Sequence, residues 1–135
     1  MKKIVALITL LVMAFCLSAC NKDPLVINES DTFVIVKAET DKTDLTLADY
    51  MASLTEYNEN FEIVDGMVVS INGIENASDW SSCWMLYTSD TDNANLGWGT
   101  IEYKGTIYGS AILGAEKLIV KDGCLYIWVY QSFNL

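Results

Sequence analysis

The sequence predicts an α+β fold in which one helix packs on a mostly antiparallel sheet. Turn dipeptides such as Asp65-Gly66, Asn72-Gly73 and Asp122-Gly123 separate short runs of alternating apolar residues, a pattern typical of strands joined by tight turns. One stretch, residues 46–54, instead has apolar residues at helical spacing. The 135 residues of the chain are enough for one domain.

The domain is expected to begin with a strand at residues 33–38, where Val34 and Val36 share one face and Ile35 lies on the other. Residues 20–32 before it are mostly polar, contain the only proline, Pro24, and have no helical period. We interpret them as a short tether, which assigns residues 33–135 to the domain.

The predicted helix begins at Thr46. Thr46 and Asp49 have capping-box spacing, so the threonine can accept a hydrogen bond from a free amide while the carboxylate lies near the positive helix end. Apolar residues then recur at i, i+3, i+4 and i+7: Leu47, Tyr50, Met51 and Leu54. Such a stripe indicates core packing rather than a cofactor site. Asn58 and Asn60 are expected to end the helix.

Strand patterns fill the rest of the chain. Residues 61–64 and 67–71 flank Asp65-Gly66 and are predicted to form a hairpin, as are residues 100–103 and 106–110 around Lys104-Gly105. A strand at 83–88 follows a polar loop, and a last strand at 124–133 is apolar on both faces, which favours an interior position. Together these segments predict one sheet of five to seven strands.

The composition limits the possible functions. The chain has eight lysines, no arginine and eighteen carboxylates, so an acidic surface would repel nucleic acid and we expect no such partner. It has no histidine, which excludes Ser-His-Asp catalysis and imidazole metal sites. Asp90 and Asp92 have calcium-loop spacing, but the required glycine and terminal glutamate are missing. We therefore expect a protein that is not an enzyme and that holds no cofactor and no metal.

The N-terminus has the pattern of a secretory signal. Lys2 and Lys3 precede an apolar run at residues 4–15 and the sequence Leu17-Ser18-Ala19-Cys20. This ending resembles the bacterial lipoprotein lipobox, which implies that residues 1–19 are a signal peptide and that Cys20 is acylated. The chain would then be anchored by lipid on the extracytoplasmic face of the cell membrane. The alternative is an ordinary cleaved signal that contains a cysteine.

Two cysteines, Cys83 and Cys124, fall within the predicted domain. Outside the cytoplasm they are able to pair. Both lie at the starts of predicted strands, and the starts of antiparallel neighbours are at opposite ends, too far apart for a disulfide. A parallel or cross-sheet arrangement would bring them together. We favour unpaired thiols.

A series of short motifs carries a family resemblance. They are Leu45-Thr46-Leu47-Ala48-Asp49-Tyr50, Phe61-Glu62-Ile63, Val69-Ser70-Ile71-Asn72-Gly73-Ile74, Trp84-Met85-Leu86-Tyr87, Lys121-Asp122-Gly123 and Tyr126-Ile127-Trp128-Val129-Tyr130. In order and spacing they resemble a bacterial domain family that is similar to the C-terminal domain of transcobalamin and intrinsic factor, the animal vitamin B12 carriers. The resemblance implies a β-grasp-like fold. Residues 91–108 depart from the family pattern and are predicted to be an inserted hairpin. In the animal carriers this domain covers one face of cobalamin, while a separate helical domain holds the other.

We expect a surface-anchored, non-catalytic binding domain, and the resemblance implies that its ligand is cobalamin, another corrinoid or a similar ring compound. Aromatic residues are the candidate ligand-binding set: Trp80, Trp84, Tyr87, Trp98, Tyr103 and Tyr108. Trp80 and Trp98 lie in predicted loops, where exposed aromatic residues are often used for recognition. The alternative is a docking module for a surface protein partner, bound through residues 91–108. A binder should have a concave aromatic pocket, whereas a docking module should have an apolar stripe on the insertion or a sheet edge.

Overall fold

The computed structural model describes residues 24–54 and 61–133. Within them the predicted α+β class is confirmed: there is one α-helix, α1 (Leu47–Leu54), and all strand pairs are antiparallel. The strands are β1 (Val26–Ser30), β2 (Phe33–Lys37), β3 (Phe61–Val64), β4 (Met67–Ile71), β5 (Ile74–Glu75), β6 (Ser82–Thr88), β7 (Ala94–Tyr103), β8 (Thr106–Ala111) and β9 (Leu125–Ser132). No helix in these residues is long and apolar enough to cross a bilayer.

Strand β9 lies inside a six-stranded sheet with the order β1-β2-β9-β6-β8-β7. It pairs with β6 from Ser132 opposite Ser82 to Tyr126 opposite Thr88, and with β2 on its other side. Its interior position confirms the prediction from its two apolar faces, and residues on both faces, Tyr126, Ile127 and Trp128, are buried.

Strands β3, β4 and β5 form a separate three-stranded sheet, so the prediction of a single sheet is wrong. The hairpin around Asp65-Gly66 is confirmed, with both turn residues at positive φ. Turn residues determine how two consecutive strands pair, but contacts with distant residues decide which sheet the hairpin joins.

The predicted tether is too long. Residues 26–30 form β1, with Val26 opposite Val36 and Ile27 opposite Ile35 of β2. The domain therefore begins before residue 33. The polar residues Asn28 and Glu29 obscured this strand because β1 lies at a sheet edge, where both are exposed to solvent. Cys20 and the signal sequence lie outside the described residues.

The helix start is confirmed. The Asp49 amide donates a hydrogen bond to Thr46 Oγ1 at 3.2 Å, and the four stripe residues are buried. Two more amides of the first turn donate to the segment that precedes β9: Leu47 N–H to the Leu118 carbonyl at 2.7 Å and Ala48 N–H to the Ala115 carbonyl at 2.9 Å. Because a helix leaves its first amides without internal partners, this segment and the helix hold each other in place. The predicted helix end at Asn58 and Asn60 lies outside the described residues.

Both faces of the larger sheet are covered. Helix α1 and the smaller sheet pack on one face, and the β7–β8 hairpin folds across the other. The ring centroid of Tyr103 in β7 lies 6.0 Å from that of Phe33 in β2, and its hydroxyl donates to Glu29 Oε1 in β1 at 3.1 Å. The hairpin thus reaches back to the opposite edge of the sheet and encloses Tyr87 and Ile127 in a second core.

The mostly polar residues 89–95 are not fully exposed to solvent, because Asp90 is only 3% exposed. Burial by itself would raise the pKa of Asp90. Hydrogen bonds from Lys121 Nζ and Asn93 Nδ2, both at 2.8 Å, and the charge of Lys121 outweigh it and hold that pKa below its usual value. The exposed Asp92 also lies 2.8 Å from Lys121, so the link between β6 and β7 is tied to the segment before β9.

Replacing Asp90 by alanine is expected to lower the free energy of unfolding by about 2 kcal/mol at pH 7, because the Asp92 amide, Asn93 Nδ2 and Lys121 Nζ lose their acceptor. Asp92→Ala is the matched control. It removes an exposed carboxylate at the same distance from Lys121 and should cost far less. Urea unfolding of the chain from Asn21 onward, which retains every described residue, measures both.

The same pair of variants gives a pH test. Because the folded state lowers the pKa of Asp90, the advantage of wild type over Asp90→Ala is present above the unfolded carboxyl pKa of about 4. It disappears as the pH falls through the lower folded value. Equal losses of unfolding free energy in Asp90→Ala and Asp92→Ala would contradict this account. So would a difference between wild type and Asp90→Ala that widens as the pH falls.

Candidate functional site

An apolar cavity of about 370 Å³ lies beside the first half of β6. We call it the tryptophan groove. It is lined by Trp80, Trp84 and Trp128, by Met67 and Met85, and by residues 110–116. Three tryptophans from a loop and two strands thus meet at one concave surface, which is typical of sites that bind flat apolar ligands.

The groove exists because β8 leaves the sheet early. It pairs with β6 only at Tyr87 and Thr88, so β6 has no strand partner beside residues 82–86 on that edge. The chain after Ser110 instead turns outward and forms the opposite wall of the groove. Ile112 and Leu113 on that wall remain exposed. The turn between β3 and β4 closes one side, where a Cβ at Gly66 would lie 2.7 Å from Glu116 Cβ.

Trp84 forms a fixed part of the lining. Its indole Nε1 donates to the Ile74 carbonyl at 2.8 Å, and its backbone N–H donates to Asn76 Oδ1 at 2.8 Å. The amide nitrogen of Asn76 in turn donates to the Val68 carbonyl at 3.1 Å. Because the Asn76 side chain connects β4 of the smaller sheet to β6 of the larger one, the Trp84 ring has a fixed position relative to both sheets.

Trp80 stands at the mouth of the groove, where its side chain is 54% exposed. Its φ of 61° is unusual for a bulky residue, and such strain often accompanies a functional position. The Asp79 carboxylate holds the loop by accepting from the hydroxyl of Ser81 at 2.6 Å and from its amide at 3.0 Å. These hydrogen bonds lower the pKa of Asp79. The loop therefore presents the Trp80 indole to solvent in a defined conformation.

Trp128 is buried in β9, with 5% of its surface exposed. Its Nε1–H is the one buried side-chain donor or acceptor in the described residues without a hydrogen-bond partner. Buried polar groups without a partner are uncommon in folded proteins. Because Trp128 also lines the groove, its indole N–H is a candidate donor to a molecule bound there.

Charge around the groove is negative. Glu116 lines it, and Glu62 and Glu75 line a neighbouring cavity on the other side of Trp80. The described lining of both cavities contains no lysine. No group of three or more Cys, Asp or Glu side chains in the described residues is placed to hold a metal ion. The aromatic and apolar residues of the lining offer stacking, apolar contact and hydrogen bonding.

The six aromatic residues singled out from the sequence are not brought together. Trp80 and Trp84 line the tryptophan groove. Tyr87, Tyr103 and Tyr108 pack on the opposite face of the sheet, where the Tyr87 hydroxyl donates to Gln131 Oε1 at 2.9 Å. Trp98 is 66% exposed in an irregular part of β7 and does not line the groove.

The sequence analysis missed Trp128, Met67 and the wall residues Ile112 and Leu113. Trp128 has no local signal that separates it from a core aromatic, because it lies in a strand that is apolar throughout. Ile112 and Leu113 did offer one. Two adjacent large apolar residues in an irregular bend are candidates for an exposed binding surface.

A second apolar surface lies on the β7–β8 hairpin. Leu96, Trp98 and Ile107 are all exposed there, and we call these residues the hairpin surface. Leu96 and Ile107 line a cavity of about 460 Å³ together with uncharged residues such as Thr88 and Thr106. The chain thus has both features used above to distinguish a small-molecule binder from a docking module.

Comparison of the chain with protein-family models, with curated proteins and with solved structures found no match. The resemblance to the B12-carrier domain therefore rests on the sequence motifs alone. The properties of the tryptophan groove and of the hairpin surface carry the functional inference.

Both domain cysteines are free thiols, as favoured from the sequence. Cys83 lies opposite Gln131 near the end of β9, whereas Cys124 directly precedes the start of that strand. The full length of the β6–β9 pairing separates them, which is the antiparallel geometry that prevents a disulfide. Burial raises the pKa of the Cys83 thiol, which lies in the lining of the groove.

Denatured, unreduced chain from Asn21 onward is expected to give two free thiols by titration. In the native protein Cys83 should alkylate more slowly than in the unfolded chain at pH 8, because its raised pKa leaves less of the reactive thiolate. Peptide mapping after timed treatment with iodoacetamide measures this rate. A count of zero thiols, or an equal rate at Cys83 in both states, would contradict the assignment.

Proposed function

We propose that this chain is a non-catalytic binding lipoprotein that holds a flat ring compound in the tryptophan groove. The observation that carries the proposal is the meeting of Trp80, Trp84 and Trp128 at one cavity, with Trp80 exposed in a strained loop. Indole rings offer large apolar faces at a low cost in conformational entropy. Glu116 is the only carboxylate in the described lining, which favours binding over catalysis.

A corrinoid such as cobalamin is the proposed ligand class, and it comes from the family resemblance together with the proposed β-grasp relation. The groove supports part of this assignment. Its volume of about 370 Å³ is at the small end of ligand pockets, so it would cover only one edge or face of so large a ring. Because the chain has no histidine, cobalt would not be ligated by imidazole. We expect a dissociation constant on the order of micromolar or weaker unless a partner covers the other face.

The location proposed for this binding is the extracytoplasmic face of the membrane, where a lipid on Cys20 would anchor the chain. We expect the first residue of the mature protein to be Cys20 with its acyl chains attached. Intact-mass analysis of protein extracted from membranes measures this directly. A mature chain that starts elsewhere, or an unmodified Cys20, would contradict the proposed lipid anchor.

Titration with cobalamin and then with cobinamide should quench tryptophan fluorescence of the chain from Asn21 onward, with saturation. Calorimetry in parallel avoids the absorbance of these ligands. Trp80→Ala is expected to weaken binding by about tenfold or more, because the stacking of a flat ring such as a nucleic-acid base on one aromatic side chain is worth about 1–3 kcal/mol. Trp98→Ala is the matched control, since Trp98 is similarly exposed but lies outside the groove.

The outcomes separate the function from the site. No saturable signal with either ligand up to about millimolar concentration would defeat the corrinoid proposal. Equal affinities of wild type and Trp80→Ala would keep the function but exclude the groove.

A docking module is the second candidate function, and the hairpin surface favours it. Leu96, Trp98 and Ile107 expose apolar surface next to the edge strand β7, and sheet edges with such residues are common interaction sites. A flat titration with both corrinoids would make this the leading proposal.

A further inference from the structure

We infer that the ligand of the tryptophan groove is a small flat molecule without negative charge that presents a carbonyl-type oxygen to Trp128 Nε1–H. This inference rests on the proposed function. It adds the chemistry that the ligand must have, and it does not depend on the ligand being a corrinoid.

The unpaired donor is the first step. Trp128 is buried, and its register partners on β2 and β6 are the apolar Val34 and Leu86. Its Nε1–H has no acceptor in the described residues. A buried donor without a partner costs free energy in the unliganded protein, and a ligand that supplies an acceptor recovers it.

Trp84 shows that this fold can supply a backbone acceptor to a buried indole N–H in the same lining. Its Nε1–H donates to the Ile74 carbonyl at 2.8 Å. Trp84 and Trp128 lie on neighbouring strands in the same core cluster and line the same groove. Trp84 Nε1–H already has an acceptor and Trp128 Nε1–H has none, so Trp128 is the one of the two that can donate to a ligand.

Charge supplies the second requirement. Glu116 lines the groove, Glu62 and Glu75 lie beyond Trp80, and the described lining offers no lysine to pair with an anion. A ligand carboxylate or phosphate placed there would be desolvated beside like charge. The acceptor is therefore a neutral carbonyl, as in an amide, ester or ketone.

The edge of β6 argues against an added peptide strand as the occupant. The Ser82 carbonyl already accepts from the Ala77 amide at 2.8 Å, and the Trp84 amide already donates to Asn76 Oδ1 at 2.8 Å. Strand addition depends on free backbone groups along such an edge. A compact ring compound needs none of them.

Three naphthalene probes that differ in one group test the inference: 1-naphthylacetamide with a neutral acceptor, 1-naphthylacetate with a negative one, and 1-ethylnaphthalene with none. Calorimetry on the chain from Asn21 onward is expected to show the amide binding about tenfold more tightly than the ethyl compound. The acetate should bind more weakly than the amide. In Trp128→Phe, which keeps an aromatic ring and removes the donor, the amide and ethyl compounds should bind alike.

A second measurement does not depend on how well that variant folds. The nitrogen-15 spectrum of the wild type has four indole signals, one for each tryptophan. Single Trp→Phe variants at positions 80, 84 and 98 each remove one signal and so identify three of them. The fourth belongs to Trp128, and the titrations follow it in the wild type. Binding of 1-naphthylacetamide should move the Trp128 signal downfield, while binding of 1-ethylnaphthalene should not. The Trp84 signal should stay in place in both titrations because its acceptor is already present.

An unmoved Trp128 signal under saturating amide would overturn the inference. So would an unchanged preference for the amide in folded Trp128→Phe, tighter binding of the acetate, or failure of all three probes to bind. The proposed function is decided separately by the corrinoid titration with Trp80→Ala, so a failure of the inference can be told apart from a failure of the proposed function.

Discussion

The joint between the two sheets is the constraint on which the rest of the structure depends. Three side chains make it. Trp84 Nε1 donates to the Ile74 carbonyl at 2.8 Å, the Tyr130 hydroxyl donates to the Glu75 carbonyl at 2.9 Å, and the Asn76 amide connects the Val68 carbonyl to the Trp84 amide. Strand β5, only two residues long, pairs with β4 and receives two of these hydrogen bonds. Together with the shared core of Phe61, Val68 and Ile71, they fix the smaller sheet on the larger one.

The tryptophan groove is a consequence of that joint. Trp84 is locked by its bonds to β5, and Asn76 precedes the short loop that carries Trp80. The opposite wall, residues 110–116, is held by the amides at the start of α1 through Ala115 and Leu118. Two independent sets of hydrogen bonds, one made by side chains and one by the backbone, thus fix the two sides. This is how a small domain keeps an apolar cleft open instead of collapsing it into the core.

The second face of the sheet is closed in a different way. The β7–β8 hairpin folds across it and buries Tyr87, which the sequence placed among the ligand-binding candidates. Tyr103 and Tyr108 on the hairpin pack on the same core. The same fold leaves Leu96, Trp98 and Ile107 on the outside. Aromatic content therefore divides between the core and two separate apolar surfaces, which no count of aromatic residues reveals.

The sequence by itself determined the α+β class, the Thr46 cap, the hairpins around Asp65-Gly66 and Lys104-Gly105, and the interior position of β9, because local interactions decide these features. Turn residues, caps and periodicity act between near neighbours in the chain. Only the tertiary structure decided that β1 joins the sheet, that the strands divide into two sheets, and that Trp128 meets Trp80. The division into two sheets and the meeting of Trp128 with Trp80 depend on contacts between residues about 50 positions apart, such as Tyr130 with Glu75, whose energies have no local pattern. Strand β1 pairs with its neighbour in the chain, Val26 opposite Val36, but its exposed polar residues at the sheet edge hide the strand pattern.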